Sequence, residues 1–370
     1  MIKANVRNEK VKRRYFRWLK EAAGFSSSTI DSIEGAICKY EEFSGYADLG
    51  AFSESRAVGF KRWLDKRPDR TRAISTTTKY HLLRHLQSFF KWLATQPGFK
   101  SKIDLDAISY LSLDKKSVRE ALSPRPRKFP SLSDVERLAE SIAGEGEIER
   151  RDRAIISLLL LSGMRYTAVC TLSLGCFDEG QLTISQDPKL GVKTKNGKAI
   201  FTRLFPFSRK LLRHVLDWVT YLREIRGWSP TDPLFPRTHI RQAEGGLSFV
   251  VDGVEPVFWS GGNSIRDIIK SRSQTAGLPY YNPHAFRYAA VHLASQFCTT
   301  PEQFKAVSQN LGHEHVATTL KTYGMLDTPR AHEVISKIDF ERKPGDGAVN
   351  IPLEELERLL GKYRKKDLTD

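Results

Sequence analysis

The segment from Ser123 to Pro130 constrains the fold of this chain more than any other. Its sequence, Ser-Pro-Arg-Pro-Arg-Lys-Phe-Pro, has three prolines and three basic residues in eight positions. Proline lacks a backbone donor and disfavours helix in the residue before it, so neither a helix nor a central strand continues through this segment. We therefore predict extended chain over Ser123–Pro130, within a basic, proline-rich linker assigned to residues 114–130, and a domain on each side, a division that the length of 370 residues also favours.

Residues 1–113 show the apolar spacing of helices. Apolar side chains recur at helical intervals from Ile30 to Phe43, after a capping-box-like start at Ser28. A second helix is predicted over Ser55–Lys66, and a third begins near Thr76. The outer face of the third helix is basic, which indicates either an ordinary solvated surface or a helix that follows the phosphates of a nucleic acid. More lysines and arginines just upstream favour the second interpretation.

Residues 131–340 combine helices with short strands. A capped helix is predicted to start at Ser131, and Arg151–Leu161 is a strongly apolar helix. Three strands are predicted next, at Leu182–Ser185, Leu190–Lys195 and Lys198–Pro206. The last two are joined across Asn196–Gly197, because both residues tolerate the positive φ of a tight hairpin turn.

The remaining residues contain a further hairpin and then return to helix. Residues 237–262 are rich in glycine and have an Asp252–Gly253 turn between two apolar runs, so they predict an extra hairpin. Helices follow from Ser264 to Ile338, and the tail, residues 341–370, ends in an amphipathic helix. The fold class predicted from these patterns is mainly α with a small antiparallel β-sheet.

The composition favours a polyanionic partner. Lysine and arginine number 59 against 43 acidic residues, which gives a net charge of +16 and a pI near 9.6. A membrane partner is disfavoured, because no apolar run approaches the roughly 18 residues of a spanning helix and the amino terminus has neither a signal core nor a myristoylation pattern. The four cysteines include no Cys-x-x-Cys pair, so we expect reduced thiols, a cytoplasmic protein and no zinc site.

Five residues form a candidate phosphate clamp: Arg165, His284, Arg287, His313 and Tyr323. Arg165 follows an apolar helix and needs an anionic partner, because a guanidinium stays charged. His284 and Arg287 share one face of a helix that begins at Pro283, where free backbone N–H groups also favour an anion. Each residue alone also has an ordinary structural interpretation, such as a salt bridge or a half-buried aromatic ring. Three other tyrosines compete with Tyr323 as a nucleophile: Tyr280, Tyr281 and Tyr288.

The order of these motifs resembles that of the tyrosine recombinase, or phage integrase, family. The matching segments are Ser-Gly-Met-Arg165, a hairpin lysine, His284-Ala-Phe-Arg287 and Leu-Gly-His313-Glu-His-Val-Ala-Thr-Thr-Leu-Lys-Thr-Tyr323. The resemblance covers residues from about 131 to 339 and, more loosely, the helical first domain. It implies a helical core-binding domain linked to a mixed α+β catalytic domain, the two of which form a clamp around duplex DNA.

The resemblance also implies a role for each residue. Tyr323 would attack a backbone phosphorus to give a 3′-phosphotyrosyl link, and His284 would act as the general acid and base. Arg165 and Arg287 would stabilise the non-bridging oxygens, with a further hydrogen bond from His313. The family places a lysine on a hairpin to protonate the leaving 5′-oxygen. Three lysines compete for this role, Lys193, Lys195 and Lys198, and the position of Lys195 just before the Asn-Gly turn favours it.

The chain departs from the family pattern at three places. Ala168 stands three residues after Arg165, where the family usually has an acidic residue, so Arg165 must be oriented by another group. Residues 237–262 look like an insertion, and the gap from Arg287 to His313 is slightly long. None of these departures removes a catalytic residue, so we expect an active enzyme.

The function implied is that of a site-specific DNA recombinase that needs no metal or nucleotide cofactor. It would act on double-stranded DNA with inverted half-sites, assemble into a tetramer on the DNA, and be associated with the nucleoid, with accessory directionality factors as further partners. Two alternatives remain: a catalytically silent DNA-binding protein of the same fold, and a type IB topoisomerase-like relaxing enzyme. The amphipathic helix of the tail would pack either on a neighbouring protomer or on its own domain.

Overall fold

The computed structural model describes residues 5–66, 74–123, 127–242, 249–298 and 300–313, together with 332 and 336. The chain divides into two compact units, Met1–Pro124 and Arg125–Asp370. The division falls inside the segment predicted as a linker. The tyrosine at 323 and the predicted helix of the tail lie outside the described residues.

The described part of the first unit is helical. Its helices are α1 (Val6–Glu21), α2 (Ser27–Ser44), α3 (Glu54–Asp65), α4 (Thr76–Ala94), α5 (Leu105–Ser109) and α6 (Lys115–Leu122). Their apolar faces enclose an aromatic core in which Phe52 stacks on Phe90, with 4.0 Å between the ring centroids. Helix α2, predicted to start at Ser28, starts slightly earlier. The Ser26 hydroxyl, not that of Ser28, accepts the capping hydrogen bond from the Thr29 amide.

Residues 115–122, which the sequence assigns to the linker, form the helix α6. The Asp114 carboxylate accepts from the Ser117 amide and so starts the helix. The helix then packs on α4, where the Thr76 hydroxyl donates to Glu120 at 3.1 Å and the Thr77 hydroxyl donates to the Ala121 carbonyl at 3.3 Å. The helix has only eight residues, with Val118, Ala121 and Leu122 as its apolar positions, which is too short a stretch for sequence periodicity to reveal it.

The basic outer face of α3 and α4 is partly engaged within the first unit. Lys79 pairs with Asp65 at 2.7 Å, and Lys61 donates to the Ser112 carbonyl at 3.0 Å. Lys91 and Arg84 are exposed on the same helix, α4. The predicted phosphate-following surface is therefore narrower than the sequence indicates.

The second unit is built around one buried helix. Its helices are α7 (Leu132–Glu140), α8 (Glu147–Ser162), α9 (Tyr166–Val169), α10 (Arg209–Thr220), α11 (Asn263–Thr275), α12 (Pro283–Phe297) and α13 (Pro301–Asn310). Every residue of α8 from Arg151 to Ser162 is buried, and α7, α10, α11 and α12 all pack against it. Because α8 is covered on all sides, its sequence from Ala154 to Leu161 is almost wholly apolar rather than amphipathic.

A small antiparallel sheet lies in the same unit. Its strands β1 (Phe177–Asp178), β2 (Thr183–Gln186) and β3 (Ile200–Arg203) are in sequential order, with Ile184 opposite Thr202. The predicted fold class, mainly α with a small antiparallel sheet, is confirmed. Helix α10 continues into a single π turn at Tyr221–Ile225.

The strand predicted at Leu190–Lys195 is wrong. Single helical turns at Pro188–Leu190 and Lys195–Gly197 occupy the connection between β2 and β3 instead. Asp187 caps the first turn, and the Lys193 amide donates to the Thr171 hydroxyl at 2.9 Å, so it is not available to a strand. Asn196 and Gly197 have positive φ values of 61° and 65°, which confirms a turn there, although it does not join two strands.

Residues 237–242 and 249–255 form the two strands of the predicted extra hairpin. Strands β4 (Arg237–Gln242) and β5 (Phe249–Glu255) pair antiparallel. The turn predicted at Asp252–Gly253 is wrong, because these two residues lie within β5 opposite His239 and form a bulge in which Gly253 has a φ of 77°.

Two charged side chains of α8 anchor this hairpin. Arg151 donates to the Pro236 carbonyl at 3.1 Å and the Thr238 hydroxyl at 3.0 Å, and the Glu147 carboxylate accepts from the Val254 amide at 2.8 Å. Arg151 is buried and its charge is balanced by Asp152 at 2.9 Å. The hairpin is therefore fixed to the central helix and is not a loose excursion from the core.

Among the helices that the structure describes, we find none with the length and apolar character needed to cross a membrane.

Candidate active site

Arg165 is placed by a glycine turn at the end of α8. The helix ends at Ser162, Gly163 takes a φ of 58°, and Arg165 is the residue before the first turn of α9. A Cβ on Gly163 would lie 2.7 Å from a methyl carbon of Leu311 and 3.2 Å from Cβ of Ala290. Glycine is required here for both its positive φ and the close approach of α12 and α13.

Arg287 joins the ends of two helices. Its side chain is 2% exposed, and its guanidinium donates to the Gly163 carbonyl at 2.7 Å and to the Leu311 carbonyl at 2.9 Å. Carbonyl groups at the carboxyl ends of α8 and α13 carry partial negative charge, which partly compensates the buried cation. Arg287 therefore fixes the backbone next to Arg165 relative to the loop that carries His313.

His313 hydrogen-bonds to this arginine. The turn after α13 has Gly312 at a φ of 73°, packed on the Ile200 side chain of β3, and presents the His313 ring to Arg287 with 2.8 Å between nitrogen atoms. Burial, and then the charges of Arg287, Arg165 and Lys195, lower the pKa of His313 to about 4. The ring is neutral at pH 7. Because a guanidinium only donates, Nε2 of His313 is the acceptor and the ring proton is on Nδ1.

His284 lies at the start of α12. It is the second helical residue after the cap Asn282, whose side chain accepts from the Ala285 amide at 3.2 Å. Burial, followed by the charges of Arg287, Arg127 and Arg165, lowers the pKa of His284 to about 4. A neutral imidazole in a positive environment is able to take up a proton when an anion offsets the surrounding cations.

The three competing lysines differ in what surrounds them. The charge of Lys195 acts on His313, whereas that of Lys193 acts on the Cys170 thiol. Lys195 lies in the exposed turn just before Asn196, as the sequence predicts. The charge of Lys195 thus reaches a residue of the candidate site, whereas Lys198 is half-buried at the end of the same turn, and which of the three lysines acts stays a prediction.

The structure brings five of the six predicted residues into one electrostatic environment. Arg165 and Arg287 both act on His284 and His313, and Lys195 acts on His313. Tyr323 lies outside the described residues, so its position relative to this group stays a prediction. Of the competing tyrosines, Tyr288 is 8% exposed and its ring meets the His284 ring edge to face, with 5.3 Å between centroids.

Sequence reasoning missed two contributors. Arg127, assigned only to the linker, lies with its guanidinium 5.0 Å from the centre of the Tyr288 ring and acts on His284. In the sequence Gly163 marks only the turn before Arg165, although its carbonyl accepts a hydrogen bond from Arg287. A Ser-Gly helix end in a chain with a buried arginine is a sequence pattern that indicates this role for Gly163. Nothing in the sequence links residue 127 to α12.

The site is suited to binding and polarising a phosphodiester. Cations from several elements surround two neutral imidazoles, so negative charge is stabilised while a proton acceptor remains available. Within the described ranges, no group of three or more histidine, cysteine or acidic side chains is arranged to hold a metal ion.

Comparison with known proteins identifies the family. The sequence model of the phage integrase family matches residues 131–329, more than half of the chain. The chain belongs to the phage integrase family. The match begins at the residue where the sequence predicts the start of the catalytic domain.

The phage integrase relatives are distant in sequence. The tyrosine recombinase XerC of Staphylococcus haemolyticus is 23% identical over 317 residues, covering 84% of this chain and 91% of that protein. The tyrosine recombinase XerD of Vibrio cholerae is 24% identical over 306 residues, covering 80% and 85%.

Solved structures of the family share the fold. A lambda integrase tetramer bound to a Holliday junction has a TM-score of 0.56 at 13% identity, covering 87% of this chain and 79% of that one. The XerH site-specific recombinase in a post-cleavage complex has a TM-score of 0.56 at 17% identity, covering 88% and 84%.

These findings confirm the predicted class of enzyme. Tyrosine recombinases of this family cleave and rejoin DNA through a tyrosine intermediate, and the chain is a site-specific DNA recombinase. Neither the silent DNA-binding alternative nor the topoisomerase-like alternative is favoured.

Proposed function

We propose that Arg165, Lys195, His284, Arg287, His313 and Tyr323 carry out the strand transfer. The observation that supports this most directly is the contact of Arg287 with both His313 and the Gly163 carbonyl, which lies two residues before Arg165. One buried guanidinium thereby ties together three separate segments that contribute site residues. If Arg287 had only a structural role in a salt bridge, it would not need the His313 ring as a hydrogen-bond acceptor.

In the proposed reaction, Tyr323 is the nucleophile. Its hydroxyl gives a proton to the neutral ring of His284 while its oxygen attacks the phosphorus. The bond from phosphorus to the 5′-oxygen breaks, a 3′-phosphotyrosyl bond forms, and Lys195 gives a proton to the leaving 5′-oxygen. Rejoining is the reverse reaction with a different 5′-hydroxyl, so the energy of the phosphodiester is conserved and no nucleotide is consumed.

The two arginines and His313 stabilise the transition state. Arg165 and Arg287 donate to the non-bridging oxygens, whose negative charge grows as the tyrosine oxygen approaches. His313 donates from Nδ1, the position that its hydrogen bond with Arg287 leaves protonated. Low exposure at Arg287 and His313 strengthens these interactions relative to water.

We propose further that two protomers bind each pair of inverted half-sites and that a tetramer exchanges strands. The lambda integrase neighbour forms a tetramer bound to a Holliday junction, and its fold resembles that of this chain. The net charge of +16 supports extensive phosphate contact. A role in a mobile element, a cytoplasmic location with nucleoid association, and accessory directionality factors belong to the same proposal.

Trapping on a nicked duplex tests the chemistry. With the duplex carrying the recombination site and a chelator present, the wild-type chain should form a covalent protein–DNA adduct that Tyr323→Phe lacks. An adduct that persists in Tyr323→Phe would assign the nucleophile to another residue. An adduct formed equally on unrelated duplexes would favour the relaxing enzyme, and no adduct on any site, including the ends of the native element, would favour the silent binder.

A further inference from the structure

The chain entering the second unit runs along one stripe of α12. The Arg127 guanidinium lies over the Tyr288 ring, and the Phe129 ring lies 5.0 Å from the His292 ring. Side chains two residues apart in extended chain, such as 127 and 129, point to the same side. Residues 288 and 292 are one helical turn apart on the same face of α12. The segment is therefore docked in a defined register on the helix.

The same stripe leads to the proposed general base. His284 precedes Tyr288 by one turn, and the two rings meet at an interplanar angle of 87°. Tyr288 is nearly buried and contacts both Arg127 of the docked segment and His284.

A cavity of about 250 Å³ opens at this place. It is lined by Arg127, Lys128, Asn282, His284, Ala285 and Tyr288. Two of these described lining residues are exposed cations, and none of the six is acidic. The cavity also lies at the amino end of a 15-residue helix, whose backbone N–H groups and dipole favour negative charge.

We propose that this cavity binds a DNA backbone phosphate other than the scissile one, with Arg127 and Lys128 as its contacts and Tyr288 as the platform that holds Arg127 and positions His284. The inference rests on the proposed function, in which His284 acts beside the scissile phosphate. A guanidinium stacked on an aromatic ring is held in place before it binds, so less side-chain freedom is lost when a phosphate arrives.

The charges around His284 give the phosphate a second effect. The cations acting on His284 are Arg287 on its own helix, Arg127 on the docked segment and Arg165 after α8. A phosphate bound at Arg127 offsets one of them and so raises the basicity of His284 when DNA is present. DNA engagement at the linker side is thereby coupled to the proton acceptor.

The first test is the salt dependence of DNA binding. On a duplex of unrelated sequence, Arg127→Ala and Lys128→Ala should each reduce the slope of log affinity against log salt by about 0.9, the effect of one phosphate contact. Arg127→Lys should retain the slope. The matched control is Lys210→Ala, which removes an exposed lysine that pairs with Glu140 at 2.8 Å, outside the cavity, and should leave the slope unchanged.

The second test is the pH profile of adduct formation on nicked DNA that carries the recombination site. Arg127→Ala and Tyr288→Leu should slow adduct formation about 10-fold. Measured with DNA far below saturation, where the profile reports the pKa of the free enzyme, the acid limb in Arg127→Ala should also move to higher pH, because a cation that lowers the pKa of His284 is gone. Tyr288→Phe keeps the ring and should recover most of the rate lost in Tyr288→Leu, which a general folding defect would not allow.

The outcomes separate the two proposals. An unchanged salt slope in both Arg127→Ala and Lys128→Ala overturns the phosphate site, and an unchanged pH profile in Arg127→Ala overturns its coupling to His284. If the slopes fall as expected but no Tyr323-dependent adduct forms in the wild type, the phosphate site stands and the catalytic assignment fails.

Discussion

Arg287 has a structural task as well as a proposed chemical one. It bridges the carboxyl ends of α8 and α13 from a buried position, so any replacement leaves carbonyl groups without a donor. Arg165 is only half-buried and lies in a loop. The two arginines should therefore respond differently to the same substitution.

Arg287→Lys should lose both stability and activity. A single ammonium does not reproduce the forked geometry that reaches Gly163, Leu311 and His313, so we expect a loss of about 3 kcal/mol in the free energy of unfolding. Urea denaturation measures this. Arg165→Lys serves as the matched variant: adduct formation should fall at least as far, with a change in unfolding free energy below about 1 kcal/mol. Equal destabilisation by the two changes would contradict this division of tasks.

The two histidines make the stability of the free protein depend on pH. Both have a folded pKa near 4, below the ordinary value of 6.5, so the unfolded chain binds more protons between these values. Their contribution is fully present above about pH 6.5, is lost as pH falls towards 4, and then levels off. Urea unfolding at a series of pH values should show this loss.

The same measurement on a double variant isolates the contribution of these two rings. His284→Asn with His313→Asn should flatten the dependence between pH 6.5 and 4, leaving the smaller part due to His85 and His214, whose pKa values burial also lowers. An equally steep dependence in the double variant would show that other groups cause it.

The proposed catalytic residues are assigned from the order of motifs in the sequence, and their roles stay predictions. The residues that support them could not be assigned in this way. Arg127 is more than 150 positions from Tyr288, and no periodicity relates an extended segment to a distant helix face. Likewise, the buried acceptor role of the Gly163 carbonyl depends on where α12 packs, which is a property of the tertiary structure.

At the scale of elements, glycines set the separation of the helices that carry the site. Gly163→Ala should displace α13, since the added Cβ meets Leu311 at 2.7 Å. Gly191→Ala is the matched control, because its φ of 83° is also positive but nothing lies within 4 Å of the new Cβ. The control isolates backbone strain of about 1–2 kcal/mol. Thermal unfolding should show a larger loss for Gly163→Ala, with slower adduct formation in that variant alone.

Elements with a long apolar run were predicted well, and short elements that depend on caps and side-chain hydrogen bonds were not. Helix α8 follows from its apolar run, whereas the eight-residue α6 starts at the Asp114 cap and is held on α4 by hydrogen bonds from Thr76 and Thr77. The residues between β2 and β3 have strand-like composition, yet Asp187 and Pro188 begin a helical turn. Local capping thus overrode the hairpin that the Asn196–Gly197 pair predicted.

At the scale of the whole molecule, the predicted division into residues 1–113, 114–130, 131–340 and 341–370 remains a prediction in its details. Along the chain, the first compact unit ends at residue 124, because α6 belongs to it. The family match over residues 131–329 lies entirely within the second unit. Sequence patterns locate the change of unit because prolines interrupt helix, but they do not show how far the preceding helix extends.

The tail provides the last prediction, which concerns assembly. Its sequence predicts a helix with an apolar face made of Ile351, Leu353, Leu356, Leu359, Leu360 and Tyr363. An apolar face of this size needs a partner, either on the same protomer or on its neighbour. If the neighbour provides it, a chain truncated before Gly347 should bind one half-site normally but fail to form the larger complex on paired sites.

Sedimentation with and without DNA distinguishes the two. Leu356→Glu with Leu360→Glu should reproduce the defect in the full-length chain, because a charge within the contact opposes burial. Lys365→Glu changes charge in the same tail without touching the apolar face and should assemble normally. Unchanged assembly of the truncated chain would place the helix on its own domain. A monomer that loses stability on truncation would support the same conclusion, because a helix docked in cis contributes to the fold of the isolated protomer.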